Sequence, residues 1–343
     1  MIVEDSGVVR QLLAHIIASD PRLVLAAAVG SAEEAIAALP RVKPDVISMD
    51  IRLPGIDGLE ATRRIMTEHP TPIVVIADAV EDASLRISLN ALRAGALSVV
   101  EKPVGVSSAG YAGIADTICT QLYIMSQVPV IRRRSFAPEA PQRASRLGMG
   151  DDLKPVAVPS VVALAASTGG PPAFAKLLGA LPSDFPVPIL LVQHMGAPFM
   201  EGFAAWLDGL VTLDVKLAEE GEVAVAGRVY VAPGDRHLRL SQGGVLRLGR
   251  EAPVGGQRPS ATAMFESVAA TAGPRAAGVL LTGMGEDGAR GLLEIRRVGG
   301  YTVTEDESTA VVYGMPAAAV RLGGSRISLP LDAIASRLMA LFG

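Results

Sequence analysis

Apolar residues along this chain fall into short continuous runs, separated by segments in which they recur every three or four positions. From residue 1 to about 103, IVED, VLAAAV, DVISMD, PIVVIA and LSVVEK predict five strands. VVRQLLAHIIAS, SAEEAIAAL, GLEATRRIMTEH and LRISLNALRAG carry the helical period between them, and a further helical pattern covers about 108–126. Strands of this kind, interleaved with helices, build a parallel, doubly wound sheet, because each crossover helix covers one of its faces. The period then disappears. VPVIRRRSFAPEAPQRASRLGMGDDLKPVAVPS, residues 128–160, is rich in proline, serine and charge and reads as a linker. Beyond it SVVALAA, PILLVQH, RVYVAP, HLRLSQGGVLRL, GVLLTG and GYTVTED are the strand candidates. HLRL and VLRL face each other across Gly243-Gly244, which predicts an antiparallel hairpin added to a mainly parallel sheet. The expected architecture is α/β throughout: a first domain over 1–127, a linker over 128–158, and a second doubly wound domain over 159–343.

Composition narrows the classes of function. A length of 343 residues provides a core for each of two domains. The net charge of -4 and the lack of a Lys/Arg face argue against nucleic acid as a partner. The one dense basic patch, Arg132 to Arg134, falls in the linker. Cys119 is the single cysteine, so no internal disulfide and no thiolate zinc cluster can form. MIVEDSGVVRQ lacks the basic start and apolar run of a signal peptide, and no stretch approaches the length of a membrane span. A soluble, cytoplasmic protein without membrane insertion is the expectation.

In an open parallel sheet, chemistry gathers outside the carboxyl ends of the strands. In the first domain those ends carry Glu4 and Asp5, then Asp50, then Lys102. A single strand-end acid is usually solvated or caps the next helix, as Asp5-Ser6 would cap VVRQLL. Three carboxylates on one rim suit a hard cation with oxygen ligands, most plausibly Mg²⁺. A metal beside a carboxylate permits in-line phosphoryl transfer onto it, with an ammonium to pair the new charge.

IVEDS, MDIRLPGIDG and EKP together resemble the receiver domains of two-component response regulators, over residues 1–125. The resemblance implies a flavodoxin-like fold, with Asp50 as phosphoacceptor, Glu4, Asp5 and Asp50 as the metal site, and Lys102 as the switch lysine. It also implies a Lys102-Pro103 bond that is often cis. Two features depart from the pattern. Ala77 ends the fourth strand where receivers carry a Ser or Thr hydroxyl, and the first strand begins abruptly at Met1.

In the second domain, VVALAASTGGPPAF (161–174) sets Ser167, Thr168, Gly169 and Gly170 between a strand and a helix. The turn matches neither G-x-G-x-x-G nor the Walker pattern, which weakens a phosphate cradle. A hydroxyl here would cap the helix by accepting an orphan N–H. It would equally serve as a nucleophile, since Ala165 and Gly169 let the backbone turn sharply and lift Ser167 clear, the logic of the G-x-S-x-G elbow. Such a serine needs a base, and the base an orienting group. Four histidines are available. His15 and His69 belong to first-domain helices, and His237 belongs to the hairpin. His194 ends PILLVQ on the same rim as Ser167, and is the base to choose. GVLLTGMGEDGARG offers Glu286 and Asp287 as orienting acids, which spacing does not separate.

AASTGGP, VQHM, APGDRH and LTGMGEDGARG, in that order behind a receiver and a linker, resemble the CheB-type protein-glutamate methylesterases over about 159–343. The resemblance implies a Ser167-His194-Asp287 triad, leaves Glu286 a variable neighbour, and places Thr168 and Met284 at the oxyanion. It implies hydrolysis of glutamate γ-methyl esters and deamidation of glutamine on methyl-accepting chemoreceptors in chemotaxis adaptation, with methanol as the ester product. No cofactor is implied for ester hydrolysis, Mg²⁺ is implied for the receiver, and a histidine kinase is implied as phosphodonor. In this scheme the unphosphorylated receiver covers the catalytic rim. GGQRPSATAMF departs from the family's R-H-R-P-S-V-D, keeping Arg258, Pro259 and Ser260 but not the residues around them. Three rivals follow: a non-catalytic signalling module, an esterase uncoupled from phosphorylation by Ala77, and an esterase acting on a target outside chemotaxis.

Overall fold

A computed structural model describes residues 1–77, 91, 94–103, 111–128 and 157–343. The chain forms two compact units, residues 1–144 and 145–343. Most of the linker and most of the helix read from LRISLNALRAG lie outside the described residues.

The first unit runs β1 (Ile2–Val3), α1 (Gly7–Ala18), β2 (Ala28–Val29), α2 (Ala32–Val42), β3 (Ile47–Met49), α3 (Gly58–Glu68), β4 (Ile73–Ala77), β5 (Ser98–Glu101) and α4 (Tyr111–Ser126). Five parallel strands lie in the order β2-β1-β3-β4-β5. Each early helix starts where a side chain accepts an otherwise orphaned N–H: Ser6 from Val9, Ser31 from Glu34, and Asp57 from Glu60. Ser6 therefore supplies the cap expected of Asp5-Ser6, and Asp5 is left for the rim. The chain moves from β1 outward to β2 and returns to β3 on the opposite side. This reversal opens a crevice at the carboxyl ends of β1 and β3, the strands that carry Glu4, Asp5 and Asp50. Among the described residues the cis peptide bond is Arg258-Pro259, not Lys102-Pro103.

The second unit runs β6 (Val161–Ala166), α5 (Gly170–Gly179), β7 (Ile189–Gln193), α6 (Met200–Asp208), β8 (Asp214–Leu217) and β9 (Arg228–Val231). It continues through β10 (His237–Ser241), β11 (Val245–Gly249), α7 (Ala261–Ala272), β12 (Ala276–Leu280), α8 (Ala289–Arg297), β13 (Tyr301–Glu305), α9 (Met315–Arg321), β14 (Ile327–Leu329) and α10 (Leu331–Met339). Seven parallel strands lie in the order β14-β13-β12-β6-β7-β9-β8. All six residues of β6 are buried, as are all five of β7 and of β12. That explains their unbroken apolar runs, since helices cover both faces of the sheet.

Two features correct the sequence reading. The hairpin is real, but β10 and β11 form a separate two-stranded sheet, with one isolated bridge from Val245 to Val223. The main sheet is completed beyond β9 by β8 instead. Strand β10 is tied to α7, where Ser267 Oγ accepts from Leu240 N at 3.0 Å and Thr271 Oγ1 donates to Leu240 O at 3.1 Å. The two strands absent from the sequence reading, β8 and β14, lie at the sheet edges and are partly exposed, so DVKL and ISL carry no apolar run.

Candidate active site

Strand register brings three distant segments side by side. Ala166 pairs with Gln193, and His194 N–H donates to Ala166 O at 3.1 Å, so residues 167 and 194 leave adjacent strands together. On the other side Leu280 pairs with Ala165, and Ser167 N–H donates to Thr282 O at 3.0 Å. Strand β6 opens the unit and β12 returns beside it after the chain has built β7, β8 and β9. The segments therefore meet at the reversal in strand order, where such folds place ligands.

Ser167 and Thr168 do not cap α5. Its N-cap is Gly169, in the left-handed region at φ 78°, and no side chain bonds the helix start. A Cβ on Gly169 would sit 2.6 Å from Val311 Cβ, so the tight turn needs glycine there. The Ser167 hydroxyl makes no hydrogen bond among the described residues. Thr168 is buried, with Oγ1 unpartnered, while Met284 is 47% exposed on the facing loop.

His194 and Asp287 are bonded directly: Nε2–H donates to Oδ2 at 2.8 Å, and both side chains are nearly buried. Holding the proton on Nε2 leaves a lone pair on Nδ1. Burial also separates the two acids that spacing left equivalent, since Glu286 is exposed and Asp287 is buried. Asp287 accepts three more hydrogen bonds, from Ser260 Oγ (2.8 Å), Ala261 N (2.7 Å) and Thr262 N (3.0 Å). Burial alone would raise its pKa, but the bonds from His194 and Thr262 outweigh it and hold the carboxyl well below the usual carboxylate range. The carboxylate also faces the N-terminus of α7, whose dipole favours a negative charge.

Ser260 is itself held. Its N–H donates to Nδ1 of the buried His237 at 3.2 Å, and the other ring nitrogen bonds Ala252 O at 3.2 Å. His237 thus supports the loop under Asp287 rather than reaching the rim. Sequence reasoning did not find this clamp. Its signal was Ser260 directly before an apolar helical run, the pattern of an N-cap, and Ser260 Oγ does accept from Ala263 N.

In the first unit the ligand atoms of Glu4, Asp5 and Asp50 all lie within 4.8 Å of one another. Lys102 Nζ sits 2.9 Å from Asp50 Oδ2 and 3.1 Å from Glu4 Oε2. Burial raises the pKa of both Glu4 and Asp50, with the Asp50 charge adding to the effect on Glu4 and Lys102 opposing it. Burial pulls the Lys102 ammonium down, but its bonds to Asp50 and contacts with Glu4 hold it above its ordinary value. Two buried acids beside an exposed third fit a hard divalent cation, which would relieve their mutual repulsion. Ala77 ends β4 and offers only its carbonyl, which accepts from Lys102 N at 2.9 Å.

Residues 162–338 match the family described as CheB methylesterase, and residues 1–108 match the response regulator receiver domain. The chain belongs to the CheB methylesterase family. One relative, the protein-glutamate methylesterase/protein-glutamine glutaminase 2 of Paramagnetospirillum magneticum, is 53% identical over 349 residues, covering 99% of this chain and 96% of that protein. Another, protein-glutamate methylesterase/protein-glutamine glutaminase 4 of Myxococcus xanthus, is 44% identical over 344 residues, covering 100% of this chain and 96% of that protein. The crystal structure of the Thermotoga maritima CheB methylesterase catalytic domain aligns with a TM-score of 0.52 at 36% identity, covering 53% of this chain and 98% of that one. The structure brings His194 and Asp287 into direct contact at the strand end adjoining the Ser167 turn, and shows no hydrogen bond between Ser167 Oγ and His194.

Proposed function

We propose that this chain is a protein-glutamate methylesterase under phosphorylation control, hydrolysing glutamate γ-methyl esters and deamidating glutamine on methyl-accepting chemoreceptors in chemotaxis adaptation. The observation that carries the reading is the 2.8 Å bond from His194 Nε2 to Asp287, at the strand end adjoining the Ser167 turn. Ser167 Oγ attacks the γ-carbonyl carbon while its proton passes to His194 Nδ1. The imidazolium that forms is stabilised by Asp287, which remains ionised because its carboxyl is held so far below the usual range.

The tetrahedral oxygen carries the developing charge, and we assign its donors to backbone N–H groups of Thr168 and Met284, neither of which is bonded to another acceptor among the described residues. The C–OCH₃ bond then breaks, and methanol leaves with the proton from His194. Water attacks the acyl-serine and gives its proton to Nδ1. The acyl–Oγ bond breaks, Oγ recovers that proton, and the receptor carboxylic acid is released and gives its remaining proton to solvent. With a glutamine substrate, ammonia leaves in place of methanol.

Residues 1–127 are proposed as the receiver, 128–158 as the linker and 159–343 as the catalytic domain. Glu4, Asp5 and Asp50 would hold Mg²⁺, which supplies charge neutralisation for phosphoryl transfer. Asp50 takes the phosphoryl group from a histidine kinase, and Lys102 pairs with the added charge. The reading places the protein in the cytoplasm, without nucleic-acid partners; no described helix is long and apolar enough to cross a membrane.

The test is release of methanol from methyl-labelled chemoreceptors. Ser167→Ala should lower kcat by roughly 10³-fold or more. A variant rate equal to that of the parent chain would exclude a covalent serine mechanism.

A further inference from the structure

Gln193 is the last residue of β7, buried to 2% exposure, and belongs to neither the triad nor the oxyanion donors. Its Nε2 donates to the carbonyl oxygen of Ser167 at 2.8 Å and to that of His194 at 2.9 Å. One amide group therefore joins the backbone of the proposed nucleophile to the backbone of the proposed base, across the gap between two strands. Both neighbours of Nε2 are acceptors only, which fixes the orientation of the amide. The other end, Oε1, is buried with no hydrogen-bond partner. Leaving a buried acceptor unpaired is costly, so the side chain satisfies the two carbonyls at the expense of its own oxygen.

The surroundings are shaped to hold it there. Gly170 opens α5 directly beneath the amide, and a Cβ at that position would lie 2.0 Å from Gln193 Oε1 and 2.8 Å from Ala166 Cβ. Only glycine lets the glutamine lie flat enough to reach Ser167. Gly170 N–H donates to the same Ser167 carbonyl at 2.9 Å, so the two donors fix the serine turn from the helix side and the strand side together.

We propose that Gln193 is a positioning residue for the hydrolysis, an amide strap that sets the separation of Ser167 and His194. This rests on the triad reading above. The strap touches neither substrate nor reacting atoms; it fixes the Ser167-Thr168 peptide against the His194 backbone, so it governs kcat and leaves KM unchanged. Displacing reacting groups by about 1 Å costs on the order of 10²-fold in rate.

The decisive variant is Gln193→Met, which keeps the volume and loses both donors. Full-length chains are compared by methanol release from methylated receptors and by the rate at which a fluorophosphonate, a serine-directed probe, labels Ser167. Expected are a kcat and a labelling rate each lower by about 10- to 100-fold, with KM within about twofold of the parent. Parent-like kcat and labelling, or a raised KM with kcat unchanged, would overturn the proposal. Should Gln193→Met fail to fold, Gln193→Asn, which keeps the amide but withdraws it by one methylene, decides on the same readouts. The labelling arm also separates this inference from the function it rests on. A parent chain that labels at Ser167 but releases no methanol sinks the substrate assignment and leaves the strap testable, whereas one that does neither sinks both.

Discussion

Asp287 receives hydrogen bonds from four groups, and its charge is stabilised by all of them. Its folded pKa is depressed. The carboxylate therefore contributes stability above its unfolded pKa of about 3.9 and loses that contribution as pH falls through the lower folded value. Asp287→Asn turns one acceptor into a donor facing donors. The variant should lose about 2 kcal/mol at pH 7, on the scale of a hydrogen bond to a charged group. Urea midpoints across pH should show the gap to the parent narrowing only below about pH 4. A gap that stayed constant down to about pH 2 would refute the ionised clamp. Activity should fall further than stability, by roughly 10³- to 10⁴-fold, because the imidazole loses its tautomer as well as its charge partner.

Helix α7 performs two tasks at its first turn. Ser260 caps it by accepting from Ala263 N, and the same hydroxyl donates to Asp287. Ser260→Ala should thus cost about 1–2 kcal/mol through the lost cap, and a further loss in kcat of about tenfold through the loosened acid. Thermal unfolding and receptor demethylation, measured on the same preparation, separate the two. A stability loss without a rate loss would show that the backbone N–H groups of Ala261 and Thr262 hold Asp287 unaided. Helix α5 contrasts with α7. It begins without a side-chain cap, on a left-handed glycine, and this leaves both hydroxyls before it free of a structural duty. Residues 261–262, which depart from the family's usual motif, contribute the backbone N–H groups to this clamp, so their role is carried by position more than by side chain. Thr262 also accepts from Gly288 N through its hydroxyl at 2.8 Å, tying the helix to the loop that carries Asp287.

Each of the two units sets its candidate site residues at a reversal in strand order. In the first unit, burial and mutual repulsion work against ionised Glu4 and Asp50, so a cation that binds the folded state should stabilise it by mass action. Millimolar Mg²⁺ is expected to raise the thermal midpoint of the parent chain but not that of Asp50→Asn. Chelation should abolish labelling of the chain by a small phosphodonor, and with it any donor-dependent rise in methanol release. Labelling that survives both chelation and Asp50→Asn would place the phosphoacceptor elsewhere.

Periodicity sufficed for the layers: unbroken apolar runs such as Val161–Ala166 can be buried only between helices, and that dictates a parallel sheet. Strand-end position likewise singled out Ser167, His194, Asp50, Glu4, Asp5 and Lys102, because a residue one step beyond a buried run must emerge at the rim. The edge strands β8 and β14 escaped, since a half-exposed strand needs no apolar run, and the hairpin forms a separate sheet because β8 occupies the β9 edge. Glu286 and Asp287 are adjacent acids in one loop, equivalent by spacing and distinguished only by the fold, which buries one against α7 and leaves the other in water. The same holds for His237, Ser260 and Gln193. Their roles come from hydrogen bonds across 15 to 27 residues of chain, and such partners are chosen by packing in three dimensions, for which a local pattern carries no signal.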